Sequence, residues 1–380
     1  MEKRINKFNI LIYFTLAVSG AYISVYQNAI PDITSEFGVN SVIIGLIISL
    51  HFIGSILFPA VFGWVSDHIG ETIVTLIAFG VLLCGLLLIV LSGTAFLFAT
   101  GILLAGGGFA VIEGTLSGLI ARNNQDKASK IMSLSQMYFC MGAAIGPFLR
   151  IPLSVFSLNW RAPYYLVIVL YIVCWITFKH FQVGLVSKEN TVSTEIHLGK
   201  LFNSKVLMAF LIAMSLYVGV EEGVVFWVGD LLKQRADVSR FISVYWVGML
   251  LGRFIYSRVN KGQVRFCLYG IAVSSGFTLL AILSDSLSVL FISYFFIGFG
   301  FAPVWPFLIV EVVKPFPKTP NTVIGAMMSA AAVGGSGMPA IMGVAVERFG
   351  GTFGFSLMLV AVIIVAVILF RLFGKKLRYE

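Results

Sequence analysis

Apolar residues run in blocks of roughly 19 to 28, parted by short polar or charged connections, along the whole chain. A helix rises about 1.5 Å per residue and bilayer hydrocarbon is about 30 Å thick, so blocks of this length predict membrane-crossing helices. Twelve are predicted. Six fall in the first half, at Phe8–Ile30, Ser41–Ser66, Thr72–Leu91, Thr94–Ala121, Ile131–Phe156 and Trp160–Phe178. Six fall in the second, at Val206–Leu232, Val238–Ser257, Val264–Leu283, Leu287–Val313, Val323–Val346 and Gly354–Leu372. Gly and Pro inside these spans are compatible with crossing, because neighbouring helices can satisfy the backbone groups they free.

The two halves resemble each other. Gly106-Gly107-Gly108-Phe109-Ala110 in span four and Gly298-Phe299-Gly300-Phe301-Ala302 in span ten lie 192 positions apart, and the same offset carries Gly142 onto Gly334 and Pro147 onto Pro339. That offset is close to half of 380 residues, so a copied six-helix module is the simplest account. The expected organisation is a six-helix bundle over residues 1–181, a polar linker over 182–204 and a second six-helix bundle over 205–380. Duplicated membrane bundles of this kind are a mark of transporters.

Composition agrees. Hydrophobic residues make up 59% of the chain and charged ones 11%, with a mean hydropathy of +0.98, whereas a soluble domain is about one quarter charged. A soluble fold would need charge along its helices, and Thr72–Gly93 carries none. The formal charge of +9 is then a matter of topology, and no nucleic-acid partner is expected. Placing both termini in the cytoplasm leaves nineteen Lys and Arg in connections on that side and five outside, Arg161, Lys233, Arg235, Arg240 and Arg348. That asymmetry predicts a multi-pass protein of the cell (plasma or inner) membrane with both termini inside. The first span has the positive start of a secretory signal, but it is too long and lacks a small-residue cleavage site, so it is expected to remain attached.

Chemistry of other classes is not indicated. Cys84, Cys140, Cys174 and Cys267 sit in apolar segments without ligand spacing and are expected to be buried small hydrophobes. His51, His68, His180 and His197 are scattered, so no metal is expected, and no nucleotide or nucleophile spacing supports an enzyme, a cofactor or direct coupling to ATP.

Gly63-Trp64-Val65-Ser66-Asp67-His68-Ile69-Gly70, between spans two and three, resembles the loop motif of the major facilitator superfamily, with Gly63, Asp67 and Gly70 at matching positions; Glu71 and Thr72 follow where the family carries Arg or Lys. Asp67 is read as a helix-capping residue in a short turn. Further segments are similar to the branch of fucose permeases and glucose/mannose proton symporters: Gly106 to Glu113, Tyr217-Val218-Gly219-Val220-Glu221 with Trp227, Trp246 to Arg253, and Gly300 to Pro306. The resemblance implies an all-α membrane protein with the major facilitator fold. It also implies a proton-coupled secondary transporter of a small polar solute, most simply a sugar taken up by symport through alternating access.

Ionisable groups inside a bilayer are costly and normally face the bundle interior or a water-filled path. Glu113 is the sharpest case, beside a glycine run that lets a helix or ligand approach closely, and in the fucose permease relatives an acid on this helix is associated with proton coupling. Its structural alternative is a pairing with Arg150 or a Tyr hydroxyl. Gln27 and Asn28 offer amides to a hydroxyl-rich ligand or to another helix. Gln136, Glu221, Trp227 and Trp305 complete the expected substrate contacts, with Glu222 read as a rim carboxylate solvated or paired with Arg240, and with packing the alternative for both tryptophans. Arg253 is expected to serve a conformational latch or to snorkel. Gly142 and Pro147, in Gly142-Ala143-Ala144-Ile145-Gly146-Pro147, resemble the motif of proton antiporters that expel drugs or other organic compounds, the alternative function. The expected partners are a small-molecule substrate, protons and the lipid bilayer, with the protein a monomer.

Overall fold

Backbone amides in hydrocarbon have no water to bond, so a spanning segment satisfies them internally as a helix. The computed structural model describes residues 2–39, 41–124, 127–149, 159–182, 201, 203–232 and 238–374, and these are helical apart from short turns. The helices are α1 (Glu2–Phe37), α2 (Ser41–Ile69), α3 (Glu71–Leu91), α4 (Ala95–Asn124), α5 (Ala128–Ile145) with a tight 3₁₀ turn at Gly146–Leu149, and α6 (Ala162–Gln182). They continue as α7 (Lys205–Phe226), α8 (Val228–Leu232), α9 (Val238–Tyr256), α10 (Gln263–Leu283), α11 (Leu287–Phe301), α12 (Val304–Val312), α13 (Pro320–Phe349) and α14 (Gly351–Phe373).

Among the described residues, ten stretches are long and apolar enough to cross a membrane. The other two expected spans, the fifth and the eighth, are present as α5 and α9, which are more polar: α5 carries Lys130, Ser133, Ser135 and Gln136, and α9 carries Arg240 and Arg253. Residues 150–158, expected to complete span five, and nearly all of the linker lie outside the described residues.

Three expectations need correction. Span one extends past its expected end at Ile30, since α1 runs on to Phe37. Span seven breaks at Trp227 into α7 and α8. Span ten breaks at Ala302 and Pro303, where the missing N–H of Pro303 interrupts the hydrogen-bond ladder. The cysteines also divide: Cys140, Cys174 and Cys267 are buried, but Cys84 is exposed on α3, because hydropathy does not say which face of a wholly apolar helix points outward.

The helices gather into two units, one formed by residues 1–125, 138–195 and 316–329, the other by 126–137, 196–315 and 330–380. Within each, glycines set the spacing, and the pattern repeats. A Cβ on Gly54 of α2 would collide with the Leu103 carbonyl of α4, and one on Gly248 of α9 with the Phe295 carbonyl of α11. Gly142 of α5 seats on the Ala17 carbonyl of α1, and its counterpart Gly334 of α13 on the Ser215 carbonyl of α7. Without side chains at these points, backbones approach closely enough for dispersion to hold helices that the hydrophobic effect does not press together in lipid.

Arg161 closes one end of the first unit. Its guanidinium lies 2.7 Å from Glu36, donates to the carbonyls of Val90 at 3.1 Å and Ser92 at 2.8 Å, and covers the ring of Trp160 at 4.3 Å. The Trp160 indole also donates to Glu36. One cation thus ties α1, the end of α3 and the start of α6, and the Arg161 hydrogen bond holds the Glu36 carboxyl below its usual range.

Two predictions follow from this packing. Gly142→Val is expected to lower the detergent melting temperature strongly, at a cost of about 1–3 kcal/mol or more from overpacking against backbone. Gly80→Ala, where a Cβ meets nothing within 4 Å, should be neutral or stabilising by about 0.5–1 kcal/mol; equal losses in both variants would contradict the glycine-seating account. Because Glu36 has a depressed folded pKa, its ion pair contributes above the unfolded carboxyl value of about 4.3 and that contribution is lost as pH falls through the lower folded value. Glu36→Gln should therefore reduce melting temperature at pH 7 and lose its effect in strongly acid buffer, as pH-dependent melting curves can show.

Candidate functional site

In the first unit, Glu113 is buried, 8% exposed, on α4 about 27 Å from the start of that helix and about 16 Å from its end at helical rise. The glycine run just before it is what brings the neighbours in: Gly106 seats on the His51 carbonyl of α2 and Gly108 on the Leu82 backbone of α3. Tyr171 of α6 lies within electrostatic reach of Glu113, and its hydroxyl donates to Ser19 of α1 at 2.9 Å. A carboxyl among these groups is sheltered from water yet has protic neighbours, the setting in which a proton can be held and passed on.

In the second unit, Glu221 of α7 is buried, 9% exposed. The Tyr217 hydroxyl one turn earlier and the Arg253 guanidinium on α9 both lie within its electrostatic reach. Arg253 is itself 2% exposed; its Nη1 donates to the Gln136 carbonyl at 3.0 Å, and Ser133 Oγ donates to the Arg253 carbonyl at 2.6 Å. The structure therefore brings together Glu221, Arg253 and Gln136, with Gln136 entering through its backbone oxygen. A buried cation is tolerable here because a carboxylate lies within electrostatic reach and a helix carbonyl accepts from it. Trp305 on α12 is 8% exposed, and its indole N–H finds no hydrogen-bond partner among the described residues. Trp227 is different: its N–H donates to the Pro339 carbonyl at 3.0 Å, which fixes the break between α7 and α8 against α13. Glu222 is half-buried.

Asp67 does cap a helix, but a distant one. Its Oδ1 accepts from the Asn321 N–H at 3.0 Å, and its Oδ2 from the Thr322 N–H at 2.8 Å and the Thr322 hydroxyl at 2.6 Å. These are the orphan donors at the start of α13, where the helix dipole also favours an anion. The expected local cap of α3 is made instead by Gly70, which has φ 92 and no side-chain bond. Gly63, one turn before Asp67, admits the Asn321 carbonyl and the Gly325 backbone. Gln27, Asn28 and Pro147 lie within helical or turn segments, but their side chains, like all of Arg150, are outside the described residues.

Aromatic groups not singled out in the sequence fill the same places. Tyr22 and Phe109 have ring centroids 6.0 Å apart, and so do Tyr217 and Phe301 in the second unit. Gly106 seats on the carbonyl of His51, and Gly298 on that of Tyr245. These contacts relate Phe109 to Phe301 at the offset of 192, but His51 to Tyr245 at 194 and Tyr22 to Tyr217 at 195. A repeat search that lets the offset drift by a few residues between helices is the signal that finds them.

The sequence matches the family model described as Major Facilitator Superfamily over residues 12–336, while no curated protein sequence matches it significantly. Among solved structures it is similar to a major facilitator superfamily transporter, FucP, in the outward conformation, with a TM-score of 0.77, 14% identity and coverage of 95% of this chain and 97% of that one. The E. coli fucose:proton symporter FucP with one substitution gives a TM-score of 0.77 at 13% identity and the same coverage. The human organic anion transporter MFSD10 gives 0.76 at 16% identity, covering 97% of this chain and 99% of that one. At such identities the likeness is one of fold.

Removing the Asp67 cap is expected to cost about 1–2 kcal/mol. Asp67→Ala should show this as a lowered melting temperature in detergent; an unchanged temperature would mean that the α13 terminus does not depend on the carboxylate.

Proposed function

Since the chain belongs to the major facilitator superfamily, a family of membrane-embedded transporters and not of enzymes, we propose that it takes up a small polar solute, a sugar, by proton symport through alternating access. The observation that carries the reading is Glu113: the one carboxyl of α4, buried in the middle of an otherwise uncharged stretch and within reach of Tyr171. An acid kept there against the cost of burial is best explained by a cycle in which it gains and loses a proton. Coupling then arises because solute affinity differs between the two protonation states. The fold likeness to a fucose:proton symporter supports the same assignment.

In this reading Glu221, Gln136 and Trp305 contribute to solute binding together with Gln27 and Asn28, and Trp227 supports them by holding the α7–α8 break. Arg253, Asp67, Gly63, Gly70, Gly142 and Pro147 serve the conformational change. The proposed arrangement is that of two six-helix halves, residues 1–181 and 205–380, joined by 182–204, working as a monomer in the cell membrane with both termini cytoplasmic.

A second reading, proton-antiport efflux of organic compounds, draws on α5, where Gly142 and Gly146 both seat against α1 backbone in the segment resembling exporter motifs, and on the fold likeness to an organic anion transporter.

Counterflow in proteoliposomes against a panel of sugars and of organic anions and cations separates the two readings, hexose exchange favouring symport and dye extrusion favouring efflux. With the exchanged solute in hand, Glu113→Gln is expected to abolish accumulation driven by an inward proton gradient, a loss of at least tenfold, while leaving exchange across equal concentrations. Undiminished accumulation in the variant would remove Glu113 from the coupling.

A further inference from the structure

The first unit holds a cluster of polar atoms that the account so far leaves without work. Tyr22 and Tyr26 stand one turn apart on α1, on one face of the helix, with ring centroids 6.5 Å apart. His51 of α2 stacks on Tyr26 at 5.2 Å with 14° between the planes and lies 6.0 Å from Tyr22. Phe109 of α4 closes the group, 6.0 Å from Tyr22 and 6.1 Å from His51. The three polar members are 0%, 5% and 5% exposed for Tyr22, Tyr26 and His51. Among the described residues, the Tyr22 hydroxyl, the Tyr26 hydroxyl and His51 Nε2 find no hydrogen-bond partner.

Buried polar atoms are nearly always paired, and three unpaired ones side by side burden the fold. The second unit differs beside its own ring pair, Tyr217 and Phe301. There the residue one turn after the tyrosine is Glu221, whose carboxyl and the Arg253 guanidinium stand within electrostatic reach of each other. In the first unit the residue one turn after Tyr22 is Tyr26, so the three groups are two hydroxyls and an imidazole edge.

We propose that Tyr22, Tyr26 and His51 form a solute subsite for a neutral, hydroxyl-rich ring. Each tyrosine hydroxyl both donates and accepts, and the imidazole nitrogen does either according to its tautomer, which matches adjacent hydroxyls that also do both. The faces of Tyr26, His51 and Phe109 supply flat apolar surface for the C–H face of such a ring. None of the three polar members carries a formal charge of its own, so each recognises a hydroxyl by hydrogen bonding. The inference rests on the sugar-uptake reading and assigns residues to it that the motifs do not mark.

The test separates a ligand site from a packing cluster by using substitutions that keep the rings. Tyr22→Phe, Tyr26→Phe and His51→Phe are reconstituted with the wild type, and hexose counterflow is measured for KM and maximal rate, alongside melting in detergent without sugar. The subsite predicts that each variant raises KM about tenfold, the effect of one lost hydrogen bond of about 1.4 kcal/mol, with the sugar-free melting temperature unchanged or higher because an unpaired buried group has been removed. Hexose exchange by the wild type with unchanged KM in all three variants overturns the subsite and leaves the sugar reading standing. A lower sugar-free melting temperature with unchanged KM makes the cluster structural and overturns it likewise. Absence of hexose exchange by the wild type overturns the sugar reading itself, and this inference with it.

Discussion

Polar groups in hydrocarbon must find partners within the protein, and this constraint organises the whole molecule. It makes the spanning segments helical, and it forces their packing to rely on close backbone approach where lipid competes equally for apolar side chains. Gly54, Gly142, Gly248 and Gly334 each stand against a carbonyl of a neighbouring helix. Such contacts allow helices to lie near one another without interlocking side chains, which suits a protein whose helices have to shift. The same constraint singles out the exceptions. Glu113, Glu221 and Arg253 are buried charges or carboxyls inside apolar spans, and each has protic or charged neighbours gathered around it.

Duplication explains where those exceptions sit. Two copies of one module provide the same stations on equivalent helices, and the copies have diverged in what they place there. One carries Glu113, with His51 and Tyr26 on neighbouring helices; the other carries Glu221, with Tyr245 and Arg253 within electrostatic reach. A division of labour follows, in which the first copy offers a carboxyl amid neutral hydroxyls while the second pairs its acid with Arg253. The glycines between these groups answer to the same packing geometry in both units.

Much of this was legible in the residues. Span positions, the helical class and the repeat follow from hydropathy and from a 192-residue offset, because the bilayer imposes length and polarity directly on the chain. What local pattern does not carry is partnership across helices. Asp67 reads as the cap of the helix that follows it, yet it caps α13, some 250 positions on, since a carboxylate near a turn serves whichever orphan N–H groups packing brings to it. Trp227 leaves stacking and packing both open in the sequence, and the contact seen is a packing one, its N–H donating to the Pro339 carbonyl. Gln136 reads as a side-chain ligand, yet its backbone oxygen makes the contact with Arg253. His51 shows no metal-ligand spacing in the sequence, and its significance lies in the rings of α1 and α4 beside it.

The central claim is that solute movement through this protein carries protons with it. It is tested most directly by adding a hexose to lightly buffered cells or proteoliposomes containing the protein and following external pH. Symport predicts a transient alkalinisation on addition of the sugar, absent from membranes lacking the protein; sugar entry with no change in pH, or with acidification, would contradict it.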